Sequence, residues 1–133
     1  MKALLSIKPI FVDEIIKGHK KYEYRKKIFK KDVDTIVIYA SMPVGKIIGE
    51  FTIDKIINKA PSEVWAETKD FSGISYEFFN EYFEGREEAF AIQIKNFYKY
   101  EKPINPYEEL ENFIPPQSFR YINDGQLQSL CLV

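Results

Sequence analysis

Three charged side chains near the start of the chain have the types and spacing of a reactive group. Lys20, Glu23 and Arg25 lie in the stretch that reads "GHKKYEYR" and begins at Gly18. Glu23 and Arg25 would share one face of a strand, and Lys20 lies just before it, where its side chain can turn toward them. Arginine and lysine can clamp a phosphate or a carboxylate, and glutamate can accept a proton or orient water. A lysine held near an arginine also has a lowered pKa, which suits proton transfer near neutral pH.

The sequence also allows a purely structural interpretation of these residues. Glu23 and Arg25 could form an ion pair that only stabilises the strand, with the lysines in solvent. Runs of charge are most often exposed faces, so spacing alone favours this interpretation. The motif needs support from its surroundings before it predicts a site.

The charges around this group are distributed unevenly along the chain. The formal net charge is -1, from 19 Lys and Arg against 20 Asp and Glu, so overall charge indicates no partner. Residues 17–31 nevertheless hold eight cations and one acid, whereas residues 63–88 hold eight acids and two cations. The basic segment can attract an anion locally. The acidic segment is a candidate surface for a protein partner, although a solvated acidic face is the commoner explanation.

Residue counts exclude several classes of site. His19 is the only histidine and Cys131 the only cysteine, so a histidine metal site, a Ser-His-Asp triad and a zinc-cysteine cluster are not expected. The six glycines are scattered and form no phosphate-binding loop. We therefore expect neither a metal nor a cofactor.

Hydrophobic patterning predicts the elements that must position the motif. The apolar run Lys2–Ile7 suits a buried strand, and the helix that follows begins at Pro9 and ends at Gly18, a residue suited to the left-handed C-cap position. The sequence then alternates, with Tyr22 and Tyr24 on the face opposite the charged residues. The motif is thus a helix stop followed by a half-buried strand.

The rest of the chain predicts further strands and an inserted pair of helices. Gly49, inside one of the strands, indicates a bulge or the close approach of another backbone. Ser62 and Ser75 could cap the two helices, which end at Gly85. The predicted segments are 34–41, 46–57, 89–103 and 115–122 for strands and 60–71 and 74–85 for helices, with a weak strand or turn in the tail 123–133.

These elements predict an α+β fold with five or six strands: a small mixed or antiparallel β-barrel with one helix after the first strand and a helical pair inserted later. We expect a single domain over residues 1–133, because no linker or repeat divides the chain. No signal peptide and no apolar run near the ~18 residues that span a bilayer are present, so a soluble cytoplasmic protein is expected.

The stretch "GHKKYEYR" resembles the G-x-K-x-x-E-x-R signature of the ASCH-domain family, with matches at Gly18, Lys20, Glu23 and Arg25. It also follows a short strand and a helix, as it does in that family. Later stretches are similar to strands of the family: "DTIVIYASMPVGKIIGEFTI", "FAIQI" and "PPQSFRYI". The resemblance covers about residues 2–122 and implies a PUA-like β-barrel.

This resemblance implies that the chain binds RNA or a nucleotide in a basic cleft beside the motif. Basic side chains would supply the salt-dependent part of the affinity, and polar groups in the cleft could recognise one base. The lysines after the motif would steer the phosphate backbone: Lys26, Lys27, Lys30 and Lys31. The implied ligand-binding residues are Lys20, Lys21, Glu23, Arg25, Tyr39, Ser41, Gln117 and Ser118.

The resemblance also implies an alternative function, the metal-independent hydrolysis of a modified nucleoside or of RNA. Some small bacterial members are amidohydrolases that act on N4-acetylcytidine, and in them the motif lysine, here Lys20, is catalytic. Those enzymes have a threonine at the position of Glu23, so this sequence departs from that branch. They also use a later glutamate, for which Glu67 lies in the right region but in no matching motif. As an enzyme, this chain would use Lys20 as nucleophile or base and Glu23 to orient water.

Overall fold

The computed structural model of the protein describes residues 1–122. It contains six strands and four helices, with a 3-10 turn at Lys69–Phe71 after the second helix. The strands are β1 (Lys2–Ile7), β2 (Tyr22–Arg25), β3 (Thr35–Ala40), β4 (Lys46–Lys59), β5 (Ala89–Ile104) and β6 (Arg120–Ile122). The helices are α1 (Pro9–Ile16), α2 (Pro61–Thr68), α3 (Tyr76–Tyr82) and α4 (Pro106–Glu109).

The strands form one mixed sheet in the order β2-β5-β4-β3-β1-β6. β1 and β3 are parallel, and the remaining neighbours are antiparallel. α1 connects β1 to β2, which is an edge strand, and α2 and α3 lie between β4 and β5 in the chain. The α+β class, the helix after the first strand and the inserted helical pair are therefore confirmed.

Within the described residues the sheet does not close into a complete barrel, and β2 and β6 are its edge strands. Within residues 1–122, β2 pairs only with β5, and β6 pairs only with β1. Both edge strands are short, and β6 has three residues where the sequence predicted a strand over 115–122. A ladder between two such short strands would gain few hydrogen bonds. The strand or turn predicted in 123–133 lies outside the described residues.

Local sequence signals explain most element boundaries. α1 begins with Pro9 in its first turn, and Gly18, two residues beyond the helix, has the positive φ of +81° that ends it. The Ser75 hydroxyl accepts a hydrogen bond from the Phe78 N–H, so the predicted cap of α3 is confirmed. The predicted cap at Ser62 is wrong, because α2 already begins at Pro61 and its capping residue has no side-chain hydrogen bond.

The buried side chains divide between the faces of the sheet. The helical pair packs on the strand that carries the motif: Tyr24 shares an apolar cluster with Val64 of α2 and Phe79 of α3. A second cluster, which includes Ile36 and Ile92, packs against Val12 and Ile15 of α1. The motif strand is therefore held between the helical pair and the main core.

Gly49 is a strand position where a side chain cannot fit. A Cβ atom there would lie 2.4 Å from the carbonyl oxygen of Tyr98, on the neighbouring strand. The register of β4 against both of its neighbours also shifts beside this residue. Both predicted explanations, a bulge and a close backbone approach, are thus confirmed.

We expect Gly49→Ala to destabilise the protein by about 2 kcal/mol, because β4 and β5 must separate to accommodate the methyl group. Urea denaturation followed by circular dichroism measures the change. A midpoint equal to that of the wild type would contradict the close approach of the Tyr98 carbonyl.

Candidate functional site

A cleft of about 120 Å³ lies where β1, α1, β2 and α3 meet. It has polar groups at the motif and aromatic rings along its walls. Its lining residues are Ser6, Ile7, Lys8, Phe11, Lys20, Glu23, Tyr24, Arg25, Ile74, Phe78 and Tyr82. The cleft therefore contains the three charged residues of the motif.

Lys20 is buried, with a side chain that is 1% exposed. The chain turns at Gly18 and directs the lysine inward, where its Nζ donates to the carbonyl oxygen of Ser72 at 2.8 Å. The same Nζ lies 3.9 Å from Oε1 of Glu23. It also lies 4.8 Å from the centre of the Tyr24 ring and 5.4 Å from that of Phe11, which places the cation against two π faces.

Gly73 makes room for the lysine stem. A Cβ atom on Gly73 would lie 2.4 Å from Cβ of Lys20 and 2.7 Å from its Cγ, closer than carbon atoms can approach. Gly73 also has a φ of +66°, a conformation that favours glycine. The segment between the 3-10 turn and α3 therefore supplies both the hydrogen-bond acceptor and the packing surface for Lys20.

Burial lowers the pKa of Lys20 from its ordinary value of 10.5 to about 8. Desolvation of the ammonium is the largest cause; the Glu23 carboxylate opposes it by raising the pKa, and Arg25 lowers the pKa further. The pKa of this amine is thus about one unit above neutral pH. It can exist as a free amine or an ammonium under physiological conditions.

Glu23 and Arg25 form the ion pair that their spacing predicts, with Nη2 and Oε2 separated by 2.8 Å. Nη2 also donates to the Ser6 carbonyl oxygen at 2.9 Å, and Nη1 donates to that of Ser118 at 3.3 Å. Arg25 therefore links edge strand β2 to the end of β1 and to the segment before β6. Its Nε is buried and has no hydrogen-bond partner within residues 1–122.

Two lysines lie against the aromatic wall of the cleft. Nζ of Lys8 is 5.1 Å from the centre of the Phe78 ring, and Nζ of Lys26 is 4.6 Å from that of Tyr82. The Phe78 and Tyr82 rings are nearly parallel, with an interplanar angle of 10°. The rim of the cleft thus combines positive charge with aromatic faces, the composition that favours nucleic-acid bases and phosphates.

The other predicted site residues do not line the cleft: Lys21, Ser41, Gln117 and Ser118. Lys21 is exposed outside the lining, with Nζ 4.3 Å from the centre of the Phe71 ring. Ser41 contributes its backbone N–H to the Ile7 carbonyl oxygen. Gln117 is exposed and does not line the cleft, and Ser118 contacts the site through its carbonyl oxygen only.

Tyr39 was expected at the mouth of the cleft, and the structure places it in the core. Its ring is 0% exposed, in an apolar cluster that includes Leu4 and Ile47. Its hydroxyl is 2.6 Å from that of Tyr107. The reason is strand alternation: Ile38 and Ala40 occupy the face toward α1, so Tyr39 between them points to the other side.

Sequence reasoning missed several residues that form or support the cleft. Phe78 and Tyr82 belong to an aromatic helix whose spacing indicates core packing, and Phe79 of that helix and Phe83 directly after it do pack in the core. The cleft takes the adjoining face of α3. For Gly73 the sequence did hold a signal. A glycine between two predicted helices, as in "FSGIS", often marks a residue with positive φ.

Glu67 and the charged residues of a second depression lie outside the cleft. Glu67 is exposed on α2 and forms an ion pair with Lys59, so it lies outside the cleft. A second, open depression of about 700 Å³ is lined by residues of β4, β5 and α4, including Lys46, Tyr98 and Lys102. Residues 1–122 contain no group of three His, Cys, Asp or Glu placed to hold a metal ion. Nor do they contain a helix long and apolar enough to cross a membrane.

Comparison with known proteins gives matches over nearly the whole chain. The family model of the ASCH domain matches residues 5–112. An ASCH domain-containing ribonuclease of Zymomonas mobilis is 30% identical over 136 residues, which cover 97% of this chain and 89% of that protein. A crystal structure of a mutant Z. mobilis ASCH protein has a TM-score of 0.90 at 28% identity and covers 99% of this chain and 97% of that chain. The N-terminal domain of Staphylothermus marinus McrB, with a TM-score of 0.62 at 14% identity, covers 97% and 92% and shares the fold alone.

Proposed function

Because this chain belongs to the ASCH-domain family, we propose that it binds RNA or a nucleotide, with one base or a group of similar size in the cleft around Lys20, Glu23 and Arg25. The observation that carries this proposal is the burial of an ammonium, a carboxylate and a guanidinium on one cleft. Burying three charges is costly for folding, and such groups are concentrated at functional sites.

The rim of the cleft supports a polyanion as the ligand. Lys8 and Lys26 lie on opposite ends of the aromatic wall, and Lys21 is exposed nearby in the chain. Lysines of this kind contact phosphates without reading sequence, whereas a polar cleft can recognise the edge of one base. Glu23 would accept from a base amine, and the positive charge of Arg25 would favour a carbonyl or phosphate oxygen.

Hydrolysis of RNA or of a modified nucleoside is the second candidate function, favoured by the lowered pKa of Lys20. A free amine at neutral pH is a competent base or nucleophile, and Glu23 at 3.9 Å could orient water or exchange a proton with it. The Z. mobilis relative is a ribonuclease by name. The presence of Glu23 where N4-acetylcytidine amidohydrolases have threonine makes RNA the better candidate substrate.

We expect Lys20→Met to weaken binding of a fluorescently labelled single-stranded RNA at least ~10-fold, because a charge-assisted contact inside the cleft contributes more than ~1.4 kcal/mol. Methionine preserves the apolar stem and removes the charge. Fluorescence anisotropy at several salt concentrations measures the affinity, which should fall as salt rises.

Lys102→Met is the matched control, since Lys102 is an exposed lysine that lines the second depression instead of the cleft. It should bind RNA with an affinity close to that of the wild type. Equal losses in both variants would contradict a ligand site at Lys20. Incubation of the same RNA with each protein in the presence of EDTA, analysed by gel electrophoresis, shows whether binding is accompanied by cleavage that depends on Lys20.

A further inference from the structure

We propose that Lys20 is a nucleophilic amine that forms an imine with an aldehyde entering the cleft. This covalent activity goes beyond RNA binding or hydrolysis. It uses the same cleft but does not depend on RNA being the ligand.

The surroundings of Lys20 are those of an amine that reacts with carbonyl groups. Lys20 lines the cleft, yet its side chain is almost completely removed from solvent. The hydrogen-bond acceptor it contacts most closely is a neutral one, the Ser72 carbonyl, and the rings of Tyr24 and Phe11 cover two further sides. A lysine that is desolvated in an apolar pocket next to another cation is activated as a nucleophile. Arg25 supplies that second cation.

The exposed lysines of the protein provide the contrast. Lys17 and Lys102, for example, are exposed and keep their amines in water. A pKa of about 8 for Lys20 makes its free-amine fraction at pH 7.5 much larger than that of a lysine with the ordinary value of 10.5. The difference corresponds to a ratio of ~200 in free amine, part of which is offset by the lower intrinsic nucleophilicity of a less basic amine.

Lys20 and Glu23 together supply the groups that imine formation needs. The lone pair of the free Nζ amine attacks the carbonyl carbon, and one N–H proton moves to the carbonyl oxygen to give a carbinolamine. Glu23 is placed to accept a proton from nitrogen and return it to the departing hydroxyl group. Water leaves and a C=N bond remains, so the overall change is amine plus aldehyde to imine plus water, with no oxidant or reductant.

The size and lining of the cleft restrict the aldehyde. A volume of about 120 Å³ with aromatic walls accepts a short aliphatic aldehyde or the open-chain sugar of an abasic site. The positive charges of Lys8 on the rim and of Arg25 would favour a phosphate on the second of these. Both candidates present an unhindered aldehyde, and the two arms of the experiment distinguish the small molecule from the abasic site.

The test traps the imine by reduction. The full-length protein is incubated at pH 7.5 with propanal and sodium cyanoborohydride, and propylation of each lysine is followed by intact mass and peptide mapping. We expect Lys20 to be modified at least ~10-fold faster than Lys17, with a rate that rises half-maximally near pH 8. A second arm uses a single-stranded oligonucleotide with one abasic site and borohydride, and a cross-linked product on a gel identifies the nucleic-acid aldehyde as a substrate.

Lys17→Met should retain the fast modification, and Lys20→Met should lose it. Labelling in the propanal arm alone identifies a free small aldehyde, and cross-linking identifies the abasic site. Modification of Lys20 no faster than that of Lys17, in a folded protein, overturns the proposal. RNA affinity measured on the same sample separates this failure from failure of the proposed function, because RNA binding with an unreactive Lys20 removes the imine and leaves the binding site.

Discussion

Lys20→Met is expected to be more stable than the wild type at pH 7, by about 2 kcal/mol. The lowered pKa of Lys20 means that the folded protein holds the ammonium in an unfavourable environment. A shift from 10.5 to about 8 corresponds to about 3 kcal/mol against the charged form. The variant also loses the hydrogen bond to the Ser72 carbonyl, which reduces its stability advantage by about 1 kcal/mol.

The same shift makes this stability difference depend on pH. Between pH 8 and 10.5 the unfolded chain binds the Lys20 proton and the folded protein has released it, so the wild type gains stability as pH rises. The advantage of Lys20→Met is therefore full below about pH 8 and disappears toward pH 10.5. Tyr24, whose pKa is raised by burial, affects both proteins in the same way and cancels in the comparison.

Urea denaturation of both proteins at pH 7, 8, 9 and 10 measures this effect. The difference in unfolding free energy between variant and wild type should shrink steadily across the series. A wild type that is the more stable protein at pH 7 would show that the charge contributes more to folding than its desolvation costs. A difference independent of pH would contradict the lowered pKa.

Gly73→Ala should destabilise the protein strongly, with a loss of about 4 kcal/mol. The new methyl group would meet Cβ and Cγ of Lys20, atoms next to the backbone that cannot move away by a rotation of the side-chain end. The residue would also have to adopt a φ of +66°, which costs a further ~1 kcal/mol for alanine. Displacement of Lys20 should abolish RNA binding in any protein that still folds.

Gly85→Ala is the control for the backbone contribution. Gly85 has a φ of +76°, but a Cβ atom there meets no atom within 4 Å. The Gly85→Ala variant should lose only about 1 kcal/mol of stability and bind RNA normally.

A double-mutant cycle tests the contact between Lys20 and Gly73 directly. Lys20→Gly in the Gly73→Ala background removes the colliding carbon, and thermal or urea denaturation should give a coupling of more than ~1 kcal/mol. Additive losses would contradict contact between the two residues.

Local patterns predicted the motif and its immediate elements well. The alternation around Tyr22 and Tyr24 gave the correct faces of β2, and the pairing of Glu23 with Arg25 followed from a spacing of two. These predictions succeeded because strand periodicity is a property of adjacent residues. The helix stop at Gly18 is predictable for the same reason.

Contacts between distant segments were beyond the sequence. Nothing near Lys20 in the chain indicates that its acceptor is Ser72, and the match of Gly73 to the lysine stem exists only after α3 has packed. The alternation of β3 was hidden because all six of its residues are buried, so the face of Tyr39 could not be read from hydrophobicity. Ser118 contributes a backbone oxygen, which leaves no trace in residue type.

The Arg25 guanidinium has a consequence for how this sequence can change over time. It links β2 to Ser6 of β1 and to Ser118 before β6, across the gap that a hydrogen-bonded ladder closes in a complete barrel. A ladder spreads its stabilisation over many backbone groups and tolerates almost any side chain, whereas Arg25 makes both links from one side chain and also pairs with Glu23. Lysine cannot reproduce the three directions of the arginine fork. Mutational drift at Arg25 is therefore constrained twice, by folding and by the chemistry of the cleft.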